Sequence, residues 1–371
     1  MPSTSSNQGN ELDNELAPWQ QRMLVTSPNP NPNPEWLAQV KEAPLLPELA
    51  IVDAHHHLWD RSGFRYLLEE YADDIGFSGR NVVASVFVQC RSMYREHGPD
   101  AMKPVGEVEF VRGISAQARS GHYGQTKVAA AIVGGADLLL GDDVAPVLDA
   151  MQEAGGGLLK GVRTPVAAHP DPVIRSNPIP VPEGLMLTRE FIAGAQQLAK
   201  RHLLLDLWVY QSQLHEVVRL AQTLPALSIV INHAGGPLGL GTYQIDREQH
   251  FADWRAALSE LASCPNVFIK LGGFGMPIMG FEFFSKAQPP SSQELAQCIA
   301  PYVNVCIELF GYERCMFESN FPVDKGSYSY GVLWNAFCRI AEHWSDWARH
   351  QVFHATAQRL YQIDMHECAT K

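Results

Sequence analysis

The chain has 371 residues, of which 46% are hydrophobic, with 28 Lys and Arg residues against 40 Asp and Glu residues. The net charge of −12 argues against nucleic acid or an anionic membrane surface as the main partner, although a single arginine can still hold a small anionic substrate. The apolar content is sufficient for a large core, and this length suits either roughly two or three domains or one α/β barrel.

The cysteine pattern and residues 1–20 indicate the cellular compartment in which the protein is expected. The seven cysteines are scattered, odd in number and contain no Cys-x-x-Cys pair, which predicts free thiols in a reducing compartment. Residues 1–20 lack the basic and apolar segments of a secretory signal, and no apolar run approaches the roughly 18 residues of a membrane span. We therefore expect a cytoplasmic protein with no membrane partner.

The first part of the chain differs from the rest. Residues 1–50 are predicted to form an extension, in which an alternating Asn-Pro run from Pro28 to Pro34 imposes stiff, extended backbone. This extension is expected either to be partly disordered or to wrap around the folded domain or a second subunit. The folded domain is predicted over residues 51–365, followed by a tail over residues 366–371.

From Ile51 onward, short apolar runs alternate with segments of helical apolar spacing. This alternation predicts βαβ units around a parallel sheet, and by itself it supports an α/β fold with roughly seven to nine strands. The predicted strands are 51–59, 81–90, 127–133, 158–164, 203–210, 227–233, 267–271 and 315–319. The predicted helices are 105–117, 145–154, 188–200, 214–221, 246–262 and 293–310.

Three consecutive histidines lie at the end of the first predicted strand. Side chains alternate along extended backbone, so His55 and His57 are expected to point to one face and His56 to the other. Two imidazoles on one face can share a metal ion or hold a polar substrate group. The alternative is a polar strand end with histidines that are merely hydrogen-bonded, but the His-x-His spacing favours function.

Polar side chains also end other predicted strands. His233 precedes Ala-Gly-Gly-Pro and is expected either to point into the cavity or to cap the strand end. Arg163 ends the fourth predicted strand, where its guanidinium either clamps an anionic group or pairs with a carboxylate such as Glu183 or Asp206. Gln89 ends the second predicted strand and is a candidate donor to a substrate oxygen.

Two long connections follow the fourth and seventh predicted strands. Residues 167–184 are rich in proline, and residues 274–292 are rich in phenylalanine and methionine. Long loops at the catalytic face of a barrel usually act as lids or specificity elements. The phenylalanines are expected either to line an apolar pocket wall or to pack onto the barrel rim or a neighbouring subunit.

Three motifs, in order along the chain, resemble the amidohydrolase-2 branch of the amidohydrolase superfamily, the predicted TIM-barrel metal-dependent hydrolases. They are DAHHHLWD at 53–60, NHAGGP at 232–237 and MFESNFP at 316–322. The branch includes L-fucono- and L-rhamnono-lactonases, 2-pyrone-4,6-dicarboxylate lactonase and 4-sulfomuconolactone hydrolase, and the resemblance covers residues 51 to 363. It implies a single (β/α)8 TIM barrel with an N-terminal extension, whose active site lies at the carboxyl ends of the strands.

The resemblance further implies a hydrolase, a lactonase that opens a cyclic ester of a small acidic or polyhydroxy compound. His55, His57 and His233 would polarise the carbonyl, and Arg163 would hold an acidic or polyhydroxy substituent. The other residues expected to contact this small-molecule substrate are Gln89, Trp208, Tyr210 and Asp324.

The resemblance leaves the metal open. One divalent ion, Zn²⁺, is expected at His55 and His57, although the branch includes lactonases that work without metal. The two-metal members of the superfamily carry a carboxylated Lys or a Glu at strand four and a His at strand five, and neither is evident here. A binuclear centre is therefore not expected.

This chain departs from the family pattern at Asn320, where most relatives have an Asp that acts as general base. An amide cannot accept a proton at neutral pH, but it can orient a water. The base is then expected to be Glu318, which shares a strand face with Asn320, or Asp324, or a neutral histidine of the His-x-His pair. The alternative for Asp324 is a surface ion pair with Lys325.

Two other functions stay open at this point. Related amidohydrolase-2 proteins are decarboxylases of aromatic acids or hydratases, and the decarboxylases need a tightly held metal. A barrel that binds a ligand without catalysis is the alternative of another class, with its base lost as Asn320. The extension and the many aromatic residues also predict a homo-oligomer.

Overall fold

Eight parallel strands form one sheet, and their order in the sheet follows the order of the chain. The computed structural model describes residues 28–177 and 179–365. The strands are β1 Ile51–His56, β2 Val82–Val88, β3 Lys127–Gly135, β4 Leu159–Arg163, β5 Leu204–Leu207, β6 Ile229–Ile231, β7 Val267–Leu271 and β8 Cys315–Phe317. The helices that follow them are α1 Leu68–Ser78, α2 Val105–Ala118, α3 Ala145–Gly155, α4 Arg189–Lys200, α5 Leu214–Thr223, α6 Arg247–Ala262, α7 Ser292–Phe310 and α8 Tyr330–Ile340. The predicted (β/α)8 TIM barrel is confirmed.

The six predicted helices begin and end within two residues of α2 to α7. Helix α8 has no predicted counterpart, and eight of its eleven residues are buried. Also unpredicted are α1, a hairpin of Trp59–Arg61 and Phe64–Tyr66, and a C-terminal helical segment. That segment consists of Asp346–His350, a π-helical turn Gln351–Ala355 and Thr356–Leu360.

Barrel closure brings the beginning and the end of the folded domain together. Directly after β1 and β8, the His57 N–H donates to Phe321 O at 2.7 Å, and the Asn320 N–H donates to His55 O at 2.9 Å. These bonds form the seam between β1 and β8. The His-x-His motif and the Glu-Ser-Asn motif therefore meet, although more than 250 residues separate them.

The amino end of the barrel is closed by apolar side chains. The C-terminal segment contributes Tyr361 and Ile363 to an inner cluster, and Lys127 at the start of β3 donates to Asp364 O at 2.9 Å. The strand side chains of this inner cluster are small or β-branched for the most part: Val52, Ala54, Ala84, Val86, Val88, Ala131, Val133, Leu204, Val230 and Met316. Apolar side chains therefore close this end, and the site is expected at the carboxyl end, where barrel active sites lie.

Residues 28–50 begin at the cavity, which Pro28 and Asn29 line, and then run along the outside of the barrel. A short helix, Pro34–Leu37, is capped by the Asn33 side chain, and Trp36 Nε1 donates to Lys286 O at 3.0 Å. Further along, the Glu42 carboxylate accepts from the Ser292 N–H at 2.7 Å. Residues 1–27 and the predicted tail at 366–371 lie outside the described residues. Within the described part of the chain, no helix is long and apolar enough to cross a membrane.

Candidate active site

A cavity of about 120 Å³ opens at the carboxyl ends of the strands. Six of the predicted site residues line it: His57, Gln89, Arg163, Trp208, His233 and Asn320. The other four lie immediately behind that lining and are fully or almost fully buried: His55, Tyr210, Glu318 and Asp324. The sequence-predicted residues are thus gathered at one place in the fold.

The three consecutive histidines point as alternation predicts. His55 Nε2 and His57 Nε2 lie 3.2 Å apart on the cavity side. His56 points away, where its ring stacks on Tyr71 at 4.2 Å and its Nε2 lies 3.0 Å from Ser85 Oγ. Burial lowers the pKa of His56 to about 3, so this imidazole is a neutral structural group.

Hydrogen-bond partners fix the tautomer of His57. Its Nδ1 lies 2.7 Å from Val88 O, and because a carbonyl oxygen only accepts, Nδ1 must carry the proton. The lone pair of the neutral ring is then on Nε2, which faces His55. Burial lowers the pKa of His57 well below its usual value, and the Arg163 charge lowers it further. His57 is therefore neutral at physiological pH and can accept a proton or bind a metal.

Glu318 connects two of the imidazoles across the seam. Its Oε1 accepts from the His233 backbone N–H at 2.9 Å and lies 2.6 Å from His233 Nδ1. Its Oε2 lies 2.7 Å from His55 Nδ1, but neither atom has an aligned hydrogen bond within the described residues. Burial raises the pKa of Glu318 to about 8, although the Lys270 charge and the His233 N–H lower it.

Arg163 stands over this cluster and is held by acceptors other than carboxylates. Its Nη1 lies 3.3 Å from Asn232 Oδ1 and 3.5 Å from His55 Nε2, and its Nη2 donates to Gln89 O. No carboxylate of the described residues forms an ion pair with it, so the alternative of a pair with Glu183 or Asp206 is wrong. The guanidinium therefore keeps its charge at the cavity.

Below the histidines lies a buried ion pair that the sequence analysis does not predict. Lys270 Nζ donates to Asp206 Oδ1 at 2.8 Å, and both side chains are fully buried. Asn232 Nδ2 and Tyr361 OH also donate to the Asp206 carboxylate. The available signal is one lysine inside the apolar run Val-Phe-Ile-Lys-Leu of β7, a position at which a charged residue needs a buried partner.

Trp208 and Tyr210 lie beyond the end of β5 and take different places. The Trp208 ring packs edge-on against His233 at 4.7 Å between centroids, and Trp208 lines the cavity. Tyr210 instead supports it from behind, because Ser176 Oγ lies 2.7 Å from Tyr210 OH and accepts from Trp208 Nε1 at 2.8 Å. A role for Tyr210 in substrate contact stays a prediction.

Asn320 is held by the buried carboxylate of Asp324. The Asn320 Nδ2 donates to Asp324 Oδ1 at 2.9 Å, while the Gly275 N–H and the Tyr328 hydroxyl donate to Oδ2. Burial raises the pKa of Asp324 to about 7, against the lowering effect of these donors. The alternative of a surface pair with Lys325 is wrong, since Asp324 is fully buried and Lys325 pairs with Asp74 at 2.7 Å.

One set of side chains has the donor atoms for a metal ion. His55, His233 and Glu318 are all buried, and each offers a ligand atom within 4.8 Å of the other two. Two imidazoles and one carboxylate form a ligand set that suits a catalytic divalent ion with an open position. The predicted pair of His55 and His57 shares only His55 with this set, and ligation by His57 stays a prediction.

Two further arginines line the cavity without having been predicted. Arg61 lies over the Trp59 ring at 3.8 Å, and Arg91 directly follows the Gln89-Cys90 end of β2. A basic residue just beyond a strand end is the only sequence signal for either. Only the tertiary structure identifies both as site residues, because it brings the Trp59–Tyr66 hairpin next to the end of β2.

The family model described as amidohydrolase matches residues 52–363. Protein y4mH of Sinorhizobium fredii is 32% identical over 85% of this chain and 99% of its own length. An L-fucono-1,5-lactonase of Burkholderia multivorans is 27% identical over 84% of this chain and 96% of its own length.

Solved structures share the fold. Two crystal structures of an amidohydrolase from Burkholderia multivorans, one with bound HEPES and one with bound zinc, each have a TM-score of 0.65 and are 24% and 23% identical. Each covers 85% of this chain and 100% of that chain. Because the family model spans most of the sequence and the barrel carries its motifs at one cavity, this chain belongs to the amidohydrolase family.

Proposed function

We propose that this enzyme is a lactonase, which adds water to the ester carbonyl of a small acidic or polyhydroxy lactone and opens the ring. The observation that carries the proposal is that His57 and Arg163 line one small cavity, with His55 Nε2 directly behind them, 3.2 Å from His57 Nε2 and 3.5 Å from Arg163 Nη1. These groups supply a proton acceptor and a permanent cation where a carbonyl can sit between them. The L-fucono-1,5-lactonase of Burkholderia multivorans and an L-rhamnono-gamma-lactonase of Scheffersomyces stipitis support the substrate class.

The proton acceptor is His57, one of the two imidazoles of the His-x-His pair. Both rings are neutral, since burial lowers the pKa of each. His57 Nε2 takes the proton from the attacking water and the ring becomes imidazolium, with His55 Nε2 3.2 Å away. Glu318 and Asp324 are less suitable as bases because each carboxylate already has partners. Glu318 contacts His233 and His55. Asp324 accepts hydrogen bonds from Asn320, Gly275 and Tyr328.

Asn320 positions the water. Asp324 accepts from Asn320 Nδ2, so the amide presents its Oδ1, an acceptor, towards the remaining space of the cavity. A water that donates one hydrogen to Oδ1 can donate the other to His57 Nε2. The amide thus keeps the orienting role of the usual carboxylate, while the proton goes to imidazole.

Arg163 stabilises the negative charge that develops on the carbonyl oxygen. The Nε2 atom of His57 carries a lone pair and cannot donate, so the guanidinium is the donor that can polarise the ester. We therefore assign Arg163 to the carbonyl rather than to a substituent. When the tetrahedral intermediate collapses, the ring C–O bond breaks and the leaving oxygen takes the proton back from imidazolium, which yields a hydroxy acid.

We propose Zn²⁺ as a resident ion, held by His55, His233 and Glu318. The set fits because all three side chains are buried and because Glu318 Oε2 and His55 Nδ1 have no aligned hydrogen bond within the described residues. A bound divalent ion would act as a Lewis acid and lower the pKa of a water. His57 stays outside this set and keeps its Nε2 for the proton.

The test combines elemental analysis with turnover. Purified enzyme is assayed before and after chelation on L-fucono-1,5-lactone and L-rhamnono-γ-lactone, and on a δ-lactone that bears a ring carboxylate. We expect hydroxy-acid formation from at least one lactone, and near one equivalent of zinc in wild type that falls in Glu318→Gln. Absence of hydrolysis across the panel, together with CO₂ release from an aromatic acid, would overturn the lactonase proposal.

A further inference from the structure

Three consecutive residues at the end of β2 organise the arginines of the cavity. Gln89 O accepts from Arg163 Nη2, and the next carbonyl, Cys90 O, accepts from Arg61 Nη2 at 2.9 Å. Arg91 comes directly after them with a φ of 63°, in the left-handed region that non-glycine residues rarely adopt. We call Gln89–Arg91 the platform. It brings three guanidinium groups to one wall of the cavity.

The platform is itself fixed from below. The buried Glu107 of α2 accepts from the Cys90 N–H at 2.9 Å and from the Ser92 N–H at 2.8 Å through one oxygen. These bonds set the path of the backbone on both sides of Arg91. The position of the three arginines is therefore built into the fold rather than left to a free loop.

The charges of Arg61 and Arg91 are not neutralised by direct partners. Neither forms an ion pair with any described residue, and no hydrogen bond joins Arg91 to the described part of the chain. Burial lowers the pKa of Arg61 while nearby Glu107 raises it, and the Arg91 charge opposes that rise. Two guanidiniums close enough to repel each other at a cavity wall are stabilised when an anion lies between them.

The arginines differ in their distance from the reacting groups. Arg163 is at the imidazoles, 3.5 Å from His55 Nε2. Arg61 is farther out, because Trp59 stacks between it and His57, with ring centroids of Trp59 and His57 5.9 Å apart. Arg91 and Arg163 also line a second cavity of about 330 Å³ that adjoins the first. There is thus room for a substrate that reaches from the imidazoles to the outer arginines.

We propose that Arg61 and Arg91 bind an oxyanionic group of the substrate, so that the physiological lactone carries an acid and its ring-opened product is a hydroxy diacid. One end of the product is the carboxylate formed at Arg163, and the other is the group bound by Arg61 and Arg91. The inference rests on the proposed lactonase function for the ring, but the anion site is defined by binding alone. It resolves the choice between an acidic and a polyhydroxy substrate in favour of the acidic one.

Calorimetric titration of the full chain with product analogues tests the site without turnover. Glutarate has two carboxylates, and glutaramate has the same length with one carboxylate replaced by a neutral amide. We expect glutarate to bind at least about tenfold more tightly, since a hydrogen bond to a charged group is worth a factor of that size. 4-Sulfobutanoate distinguishes a carboxylate from a sulfonate at the outer position. Equal affinity for glutarate and glutaramate would overturn the inference.

Arg91→Gln is the decisive variant because Arg91 forms no hydrogen bond within residues 28–177 and 179–365. It should weaken glutarate binding about tenfold and leave glutaramate binding unchanged. The matched control is Arg255→Gln, which removes an exposed arginine of α6 paired with Glu308 and should change neither affinity. Unchanged glutarate affinity in Arg91→Gln would contradict the proposal. If glutarate binds as expected but no lactone is hydrolysed, the lactonase proposal fails and the anion site stands.

Discussion

Two regions of the cavity differ in how their charged side chains are paired: the floor, formed by Lys270, Asp206 and Glu318, and the wall, formed by Arg61 and Arg91. On the floor, Lys270 and Asp206 form a fully buried ion pair at 2.8 Å, and Glu318 lies between two imidazoles. On the wall, Arg61 and Arg91 lack a carboxylate partner within the described residues, and Arg61 Nη2 donates to Cys90 O at 2.9 Å. Both regions lie at the carboxyl ends of strands, so the difference is one of partners and not of position in the barrel.

Partnered charges and unpartnered charges have different uses. A buried charge is tolerated when hydrogen bonds and an opposite charge replace water, and such a network fixes the orientation of its members. The floor therefore suits groups that must keep their geometry during a reaction. Positive charge left without an internal partner is compensated only by a ligand, which suits binding. The predictions below would break or sharpen this division, and they run from the largest expected effect to the smallest.

Alanine substitutions of the adjacent residues His57 and His56 are expected to affect catalysis and stability, respectively. His57→Ala removes the proposed proton acceptor, and we expect kcat/KM for lactone hydrolysis to fall by about 10²–10⁴-fold while the barrel still folds. His56→Ala removes a buried ring that stacks on Tyr71. It should lower the free energy of unfolding by about 3 kcal/mol and leave kcat near wild type.

The measurement is kcat/KM together with a denaturant titration of both variants. Near-normal turnover in His57→Ala would remove His57 from the mechanism. A large loss of turnover in a folded His56→Ala would show that the two faces of β1 are not functionally distinct.

Exchange of the amide and the carboxylate tests the water-positioning role of Asn320. In Asn320→Asp, two carboxyl groups stand where Nδ2 and Oδ1 are 2.9 Å apart, so one of them must hold a proton near neutral pH. We expect activity to be retained with an additional ionisation in the pH–rate profile. The double variant Asn320→Asp with Asp324→Asn restores one carboxylate and should raise kcat up to about tenfold over the single variant.

The readout is the pH dependence of kcat/KM for wild type and both variants. Complete loss of activity in both folded variants would mean that the amide group itself is required. A pH–rate profile of Asn320→Asp identical to that of wild type would show that the two side chains are not coupled.

A smaller effect is expected from Glu107, the buried carboxyl group that supports the wall, on the pH dependence of the free energy of unfolding. Burial raises its pKa to about 7, so the folded state holds a proton that the unfolded state has lost above its ordinary pKa. This contribution to stability is full below pH 4.5 and is lost as the pH rises through 7. The free energy of unfolding of wild type should therefore fall relative to Glu107→Gln between about pH 5 and pH 7.5, by on the order of 1 kcal/mol.

Denaturant titrations of wild type and Glu107→Gln at several pH values check this difference. A pH-independent difference between wild type and Glu107→Gln would show that Glu107 is ionised throughout this range. The wall would then contain a permanent internal counter-charge, and the contrast with the floor would weaken.

Local sequence patterns predict much of the fold and part of the site. Alternating apolar runs and helical spacing predict roughly seven to nine strands and locate α2 to α7, because burial of one face sets these periods wherever the element lies. The count of exactly eight strands comes from the family resemblance. Alternation along β1 also predicts that His55 and His57 share a face while His56 does not. Strand ends point to Arg163, Gln89 and His233 without any knowledge of the contacts, and the family resemblance points to the substitution at Asn320.

The sequence by itself therefore determined an α/β fold through its local periods and, through its resemblance to the amidohydrolase-2 branch, the barrel, the carboxyl-end location of the site and the chemical types of most of its residues. Only the tertiary structure decided that Glu318 lies between His55 and His233, that Asp324 holds Asn320, and that Lys270 pairs with Asp206. It also brought Arg61 and Arg91 to the same wall. These contacts join residues far apart in the chain, and their distances depend on the register and closure of the barrel, which no local period encodes.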